Sequence, residues 1–447
     1  MMEREISMAA ISGFAQKFKA GQQNRVAMNA AVKNGIDAAA ENFTAFRETR
    51  HEFSITVETG EITNQKASGR CWMFAALNVM RLEVMEKLNL ESMELSQNYP
   101  LFYDKLEKSN YFLENILETL DEPLEGRLLA YLLSDPLCDG GQWDMFASLV
   151  EKYGVVPKDA MPESAASSQT AEMDRYLTRK LREFACTLRE EHEAGQPEAS
   201  LRSRKEEMLS TIYRMLCISL GTPPQSFTYE TRDKDKKFVR ISDITPQDFY
   251  KEYVGLDMDD YISLINAPTA DKPYGRMYTV QFLGNVKGGR EVRYLNLPAE
   301  ELKRAAIAQL KDGKAVWFGS DVGKCSSRQG GLLDLDVYDA AGLFGTEFPL
   351  TKAQRLDYGE SLMTHAMVLT GVNLDDKERP LRWRVENSWG KEAGKDGYYV
   401  MSDRWFDEFT YQVVVNKKYL TDEQQAMLAT EPIVLKPWDP MGSLARR

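Results

Sequence analysis

The first half of the chain carries apolar residues at helical spacing. Ala-rich segments with repeated apolar positions occupy residues 6 to 47 and predict one or two helices. The stretch from Trp72 to Lys87 is apolar and lacks Gly and Pro, and Leu95 to Glu118 is aromatic with helical spacing, so each predicts a helix. Two charged helical stretches between 171 and 220, separated by the break at 193–197, predict a helical hairpin.

The second half changes to short apolar runs that are typical of strands. An extended piece is predicted at 52–57, and a β-hairpin joins 227–230 to 238–241 through a charged loop. A helix is predicted from Leu297 to Gly313. The remaining runs predict a twisted antiparallel sheet or half of a barrel, with strands at 277–286, 315–319, 366–372, 381–386, 397–401 and 411–415.

Composition narrows the classes of protein that fit. The 447 residues could form two or three structural units. A net charge of −12, from 56 basic and 68 acidic residues, makes nucleic acid and anionic membranes unlikely partners and mildly favours cationic ligands. The five cysteines show no zinc or redox spacing, and neither a signal peptide nor an apolar run long enough to span a membrane is present. We therefore expect a soluble, cytoplasmic protein that needs no metal or organic cofactor.

Cys71 is the candidate nucleophile. Gly69 offers a turn just before it, and the predicted helix begins at about the cysteine, where the helix N-terminus favours the reactive thiolate. Gln65 lies six positions earlier, and its amide could help to bind the oxyanion of a tetrahedral intermediate. Taken alone, a Cys beside Trp72 is more often a small buried hydrophobe than a catalyst.

A cysteine nucleophile needs a base, and histidine suits that role at neutral pH. Only three histidines exist, and His51 and His192 lie in charged runs that predict solvated surface positions. His365 stands at the entrance to an apolar strand; a lone histidine there would usually be a packed core residue, but elimination favours it as the base. Downstream, Asn387 could hydrogen-bond the imidazole, and Trp389 could shield that bond from water.

Three motifs together resemble the papain-like cysteine peptidases: Gln65-x5-Cys71-Trp72, the His365 segment, and Asn387-Ser388-Trp389-Gly390 followed by Gly397-Tyr398. Ser68 and Arg70 depart from the common papain motif in the manner of the bleomycin hydrolase and bacterial aminopeptidase C branch. The resemblance implies an α+β fold with a helical lobe and an antiparallel, barrel-like β lobe. It also implies that Gly140, Gly141 and Trp143 line the substrate cleft.

The spacing of the motifs locates an insertion. His365 lies 294 residues after Cys71, whereas about 130 to 150 residues separate this pair in papain-like enzymes. We therefore expect a helical leader at 1–50, a helical lobe with the nucleophile at 51–154, an insertion at 155–275, a β lobe with His and Asn at 276–435, and a C-terminal arm at 436–447. Such insertions build hexamers in the bleomycin hydrolase branch. Because only 70 residues precede Cys71, an enclosed site in a homohexamer, rather than a pro-segment, is expected to restrain activity.

The resemblance implies a cysteine aminopeptidase that releases N-terminal residues from peptides with a free N-terminus through a thioester acyl-enzyme. In that branch the C-terminal arm lies in the cleft and its carboxylate binds the substrate ammonium, which would make Ala445 the anchor after Arg446 and Arg447 are trimmed. Two alternatives stay open. One is a cysteine endopeptidase or broader amide hydrolase, and the other is a nucleic-acid-binding hexamer with incidental peptidase activity.

Overall fold

A 12-stranded mixed sheet lies at the centre of the computed structural model, which describes residues 4–444. Helices pack around it, and a separate two-stranded hairpin lies outside it. The predicted α+β class is confirmed by this architecture. Ala445, Arg446 and Arg447 lie outside the described residues. Within 4–444, no helix combines the length and the apolar character that crossing a membrane requires.

The helices include all the long ones that the apolar spacing predicts. They are joined by short one-turn elements at Lys158–Ala160, Tyr250–Val254, Met258–Asp260, Lys417–Tyr419 and Pro440–Gly442. In chain order the α-helices are α1 Met8–Ala20, α2 Gln22–Asn34, α3 Ile36–Ala40, α4 Phe43–Glu48, α5 Cys71–Lys87, α6 Asn98–Glu118, α7 Arg127–Ser134, α8 Trp143–Tyr153, α9 Ala165–Ser168, α10 Ala171–Glu193, α11 Glu198–Leu220, α12 Pro246–Phe249, α13 Ala299–Lys311, α14 Ala340–Phe344, α15 Lys352–Asp357, α16 Asp403–Phe409 and α17 Asp422–Met427.

The strands are short except at the centre of the sheet. They are β1 Ile55–Thr56, β2 Phe227–Arg232, β3 Phe238–Ile244, β4 Tyr261–Ile265, β5 Arg276–Val280, β6 Tyr294–Asn296, β7 Val316–Ser320, β8 Ser326–Ser327, β9 Leu332–Leu333, β10 His365–Leu374, β11 Pro380–Glu386, β12 Tyr398–Ser402, β13 Thr410–Asn416 and β14 Ile433–Leu435. The sheet order is β14-β5-β6-β4-β13-β7-β10-β11-β12-β9-β8, with β1 also paired to β10.

The sheet is antiparallel at its centre and mixed at its flanks. β10 pairs antiparallel with β7 and β11, as the alternation of strands and turns predicts. The prediction of an antiparallel sheet is wrong for three pairs, β12–β9, β4–β6 and β14–β5, which are parallel. These pairs join segments far apart in the sequence or linked by long loops, so local turn signals do not report them.

One predicted strand is longer than the observed one. The run at 277–286 forms a strand only as far as Val280, because Phe282 adopts a left-handed backbone conformation with φ of 59°. A non-glycine residue in that conformation cannot continue an extended strand. The extended piece predicted at 52–57 is likewise a strand only at β1, where it pairs with β10.

The helical hairpin predicted between 171 and 220 is confirmed as α10 and α11. Both pack on α6, and α10 buries residues spaced three or four positions apart, namely Met173, Leu177, Leu181, Ala185 and Leu188. This spacing places a single apolar stripe against the neighbouring helices. By contrast, α1 and α2 bury none of their residues, although apolar side chains occur along both.

Candidate active site

The helix that carries Cys71 is a core helix. Thirteen of the 17 residues of α5 are buried, so the helix is covered on all sides, and it packs directly against β10 and β7. It begins at Cys71 itself, with Arg70 as an N-cap whose side chain makes no capping hydrogen bond. The backbone N–H groups of the first turn therefore surround the thiol, and the helix dipole favours its thiolate form.

The loop before Cys71 is fixed by its own hydrogen bonds. The Gln65 side-chain Nε2 donates to the Ser68 carbonyl at 2.6 Å, and the Ser68 hydroxyl donates back to the Gln65 carbonyl at 2.7 Å. Gln65 also accepts a hydrogen bond from the Ser388 hydroxyl at 2.6 Å, next to Asn387. The side-chain amide of Gln65 is thus buried and oriented between the cysteine loop and the asparagine segment.

His365 and Asn387 meet because their strands are neighbours. His365 is the first residue of β10, and Asn387 follows the last residue of β11, which is the antiparallel partner of β10. Their side chains are hydrogen-bonded, with 2.9 Å between His365 Nε2 and Asn387 Oδ1. Trp389 lies over the imidazole, with ring centroids 4.8 Å apart. Both His365 and Asn387 are buried, so little water can compete for this bond.

The hydrogen bonds of Asn387 define the protonation of the imidazole. Its Oδ1 also accepts from the Ser388 backbone N–H at 2.8 Å, which identifies that atom as the oxygen. His365 Nε2 must therefore carry the hydrogen in the bond to Asn387. It follows that Nδ1 of the neutral ring is the basic nitrogen, left to exchange a proton with a thiol or a leaving group.

The paired glycines pack against the nucleophile helix. A Cβ on Gly141 would come within 2.5 Å of the Trp72 ring, so a side chain at this position would displace that ring. The carbonyl of Gly140 accepts a hydrogen bond from Lys108 at 2.6 Å. Trp143, which the resemblance places in the cleft wall, is only 1% exposed and packs on Trp317 behind that wall. Its burial makes it a support of the cleft rather than a surface that faces substrate.

Two cavities meet beside these residues. The first cavity has a volume of about 650 Å³ and is lined by Gln65, Gly69 and Trp389. The second has a volume of about 840 Å³ and is lined by the C-terminal segment. Asp135 and Cys138 line both cavities. The two form a groove that passes the loop before Cys71. Cys71 itself is fully buried in the structure.

The C-terminal segment is anchored in this groove. Trp438 lies under the guanidinium of Arg127, with 3.8 Å between Cζ and the ring centroid, and Asp439 is paired with Lys272 at 3.0 Å. The Ser443 carbonyl accepts from Gln142 Nε2, and its hydroxyl donates to the Met363 carbonyl, each at 2.6 Å. Ser443 is therefore held between the glycine pair and the segment that leads into His365. Ala445, the predicted anchor for substrate, lies outside the described residues.

Buried charges around the nucleophile were not predicted from the sequence. Arg70 is fully buried and forms a two-pronged ion pair with Glu163, which belongs to the predicted insertion. Arg81 on α5 pairs with Glu386, the residue before Asn387, at 2.9 Å, and both side chains are buried. A charged residue inside an otherwise apolar helix, such as Arg81, is the signal in the sequence that points to such a pair.

The other two histidines lie apart from these contacts. His192 lies in the last turn of α10, and its Nε2 is 3.2 Å from Asp121, with 37% of the side chain exposed. His51 is partly buried, and this burial, together with Lys395 and Arg382, lowers its pKa. Neither histidine lines the two cavities beside the cysteine loop.

Comparison with known proteins supports the relationship that the motifs predict. A model of the Peptidase C1-like family matches residues 5–442. The chain belongs to the Peptidase C1-like family. It is 50% identical to aminopeptidase C of Listeria innocua over 99% of this chain and all of that protein, and 45% identical to mouse bleomycin hydrolase over 97% of this chain and 98% of that protein.

A solved structure agrees with the fold throughout. The crystal structure of PepW from Lactobacillus rhamnosis superposes with a TM-score of 0.98 at 52% identity, over 99% of this chain and the whole of that one. The predicted membership of the aminopeptidase C and bleomycin hydrolase branch is confirmed by these matches, and so is the predicted class of enzyme, a cysteine-type aminopeptidase.

Proposed function

We propose that this Peptidase C1-like enzyme releases N-terminal residues from peptides by way of a thioester formed on Cys71. The observation that carries the assignment of residues is the geometry of His365. Its Nε2–H is donated to Asn387, so Nδ1 is the nitrogen that accepts and returns a proton. Cys71 stands at the start of a buried helix that packs on the strand of that histidine.

The reaction then has two steps. The Cys71 thiolate attacks the carbonyl carbon of the first peptide bond, and the protonated His365 gives its Nδ1 proton to the departing amine. A water molecule, deprotonated by His365, next attacks the thioester and releases the free amino acid and the thiol. The Gln65 amide and the Cys71 backbone N–H stabilise the oxyanion that forms in each step.

The C-terminal arm is the element that would limit cleavage to the N-terminus. Residues 438–444 fill one end of the groove and are anchored there by Trp438, Asp439 and Ser443. An arm in this place shortens the groove, so that only a short N-terminal portion of a peptide can lie beyond the scissile bond. We propose that the arm blocks longer substrates and that, once Arg446 and Arg447 are removed, the C-terminal carboxylate of Ala445 binds the substrate ammonium.

The proposed role of the arm also distinguishes an aminopeptidase from the alternative, an endopeptidase. Kinetics on matched aminoacyl and N-acetyl-aminoacyl peptides test the difference, before and after alkylation of Cys71. We expect turnover of the free amine only, with loss of activity on alkylation. Equal turnover of the two substrates would contradict the aminopeptidase assignment, and activity that survives complete alkylation of Cys71 would contradict the nucleophile.

A deletion of residues 442–447 tests the arm itself. We expect it to weaken cleavage of free-amine substrates and to permit cleavage within longer or N-blocked peptides, because it removes the Ser443 contacts and the chain end while leaving Trp438 and Asp439 in place. The matched control is Thr430→Ala, outside the groove, which we expect to keep wild-type specificity. Unchanged specificity after the deletion would remove the arm from the mechanism.

We further propose a cytoplasmic homohexamer. The support is the apolar surface of α1, α2 and the residues around them, where Phe14, Val32 and Phe43 are 60%, 83% and 74% exposed. Large apolar side chains left exposed on neighbouring helices are typical of an interface between subunits. Sedimentation of the intact protein at micromolar concentration tests this, and a monomer there would contradict it. With a net charge of −12, we expect no binding of DNA at physiological salt.

A further inference from the structure

Asp139 contacts the chain on both sides of Cys71. Its carboxylate Oδ2 accepts a hydrogen bond from the Gly69 backbone N–H at 2.7 Å. Its backbone carbonyl accepts another from the Trp72 indole Nε1 at 2.6 Å. Gly69 and Trp72 flank the two residues Arg70 and Cys71, so a single residue of the groove wall fixes the position at which α5 begins.

The carboxylate of Asp139 is held in place by a buried charge network. It is paired with Lys105 at 2.7 Å, and Lys105, which is fully buried, is also paired with Asp174 at 2.7 Å. The hydroxyl of Thr170 donates to the same Oδ2 that accepts from Gly69. Although burial opposes its ionisation, the Lys105 ammonium and these hydrogen bonds keep the pKa of Asp139 far below its usual value.

Asp174 completes the network from α10. Burial raises the pKa of its carboxyl to about 7; the neighbouring Asp139 charge adds to that rise and Lys105 opposes it. Lys105 is paired with two carboxyl groups, and that of Asp139 is therefore the one that stays charged across neutral pH. Its charge strengthens the hydrogen bond to the Gly69 N–H, since a charged acceptor binds an amide hydrogen more tightly than a neutral one.

The backbone that Asp139 holds leads directly to the proposed oxyanion site. Only Arg70 separates Gly69 from Cys71, and neither Gly69 nor Arg70 belongs to a helix or strand. We propose that Asp139 is a positioning residue, which aims the Cys71 backbone N–H at the oxyanion by holding Gly69 and Trp72. This inference rests on the proposed role of Cys71, and it assigns to Asp139 no contact with the substrate.

A purely structural role would have different consequences, and Asp403 provides the comparison. Asp403 is also paired with a buried lysine, Lys303, at 3.0 Å, and it accepts a hydrogen bond from the Trp383 indole Nε1 at 3.1 Å. No hydrogen bond or ion pair joins it to residues 65–72 within the described part of the chain. Asp403→Ala therefore removes a comparable carboxylate without touching the cysteine loop.

The experiment compares kcat, KM and the rate of alkylation of Cys71 by iodoacetamide in the full-length enzyme. For Asp139→Ala we expect kcat to fall about 10- to 100-fold with KM within about threefold, because a displaced oxyanion donor acts only in the transition state. Alkylation should stay within about threefold of wild type, since displacement of iodide forms no oxyanion. Asp403→Ala should lower the thermal midpoint but keep kcat within about twofold.

Two further variants keep the test decisive if Asp139→Ala does not fold. Asp139→Asn retains an oxygen for the Gly69 N–H and should recover most of the lost kcat. Asp139→Glu keeps the charge for Lys105 but moves it by one methylene, so it should fold and still lose kcat. Wild-type kcat in both Asp139→Glu and Asp139→Ala, or an equal loss in Asp403→Ala, would overturn the inference.

The same measurements separate this inference from the proposed function. If complete alkylation of Cys71 left the wild-type enzyme active, the nucleophile assignment would fail. If alkylation inactivated the enzyme and the Asp139 variants kept full kcat, only the positioning role would fail. A parallel fall of kcat and of the alkylation rate in Asp139→Ala would also overturn the inference, because it would show an effect on the thiolate instead of on the oxyanion.

Discussion

His365 and Cys71 are held in place by different kinds of contact. On the histidine side the order comes from strand pairing: β10 and β11 run side by side, and the side chains at their ends meet through a hydrogen bond and a stacked Trp389. Strand pairing, an amide hydrogen bond and ring stacking supply this order. A ladder of backbone hydrogen bonds on both sides of β10 fixes His365 before any side chain contributes.

On the cysteine side no strand ladder leads to Cys71 in the described part of the chain. The loop from Gln65 to Arg70 crosses between elements and is held both by its own hydrogen bonds and by buried charges, among them the pairs of Arg70 with Glu163 and of Lys105 with Asp139. Glu163 belongs to the predicted insertion, and the Ala67 backbone N–H also bonds the Ser168 carbonyl within it. The comparison teaches that the segment predicted to be an insertion supports the cysteine loop.

The largest expected effect is the loss of either reacting group. Cys71→Ala deletes one small buried side chain and should keep the fold, yet it should lower kcat by at least about 10⁴-fold, as in other enzymes with a nucleophile and base. His365→Ala should lose nearly as much. Steady-state kinetics and thermal unfolding check the two effects separately. His51→Ala and His192→Ala are the matched controls, and an equally large loss in either would contradict the choice of base.

The next effect concerns the ion pair that joins the two sides. Glu386→Ala leaves Arg81 buried without its partner, which should lower the free energy of unfolding by about 3–5 kcal/mol. Burial raises the pKa of Glu386, and Arg81 opposes that rise, so the pair is costly to separate. Denaturant unfolding measures the loss. Glu360→Ala breaks a half-exposed pair with Lys324 and should cost less than about 1 kcal/mol; equal losses would contradict the argument.

Loss of the hydrogen bond that orients the imidazole should lower kcat less than loss of the imidazole itself. Asn387→Ala removes the acceptor for His365 Nε2–H and should lower kcat roughly 10- to 100-fold, because the ring can then turn while Cys71 remains reactive. Kinetics with a free-amine substrate measure this. Asn98→Ala, which removes another buried amide with two backbone partners, should reduce stability but not kcat. A kcat for Asn387→Ala within twofold of wild type would show that Trp389 and β10 are enough to orient the imidazole.

The sequence predicts the histidine side more completely than the cysteine side. Strand alternation and local motifs place His365, Asn387 and Trp389 close together, because β10 and β11 are consecutive and their register follows from a short turn. The partners of Arg70 and Gly69 come from residues 70 to 93 positions away, and only the folded chain brings them together. Trp143 shows a further limit, since a motif indicates that a residue belongs to the cleft region but not which face it occupies.

The smallest expected effect is a pH-dependent contribution to stability from the ion pair of Glu163 with Arg70 on the cysteine side. Burial opposes ionisation of Glu163, but its hydrogen bonds to Arg70 outweigh this and lower its pKa in the folded protein. A carboxyl whose pKa is lower in the folded state stabilises the fold above its unfolded value of 4.5, and this contribution is lost as pH falls through the folded pKa.

Glu163→Gln should therefore be less stable than wild type by roughly 1–2 kcal/mol at pH 7, and the gap should narrow below about pH 4.5. Thermal or denaturant unfolding from pH 7 to pH 4 measures the gap. Asn98→Ala, which removes a buried amide from two backbone carbonyls, should differ from wild type by the same amount at every pH in that range. If the Glu163→Gln gap were also independent of pH, the ionic character of the cysteine side would not be what holds its loop.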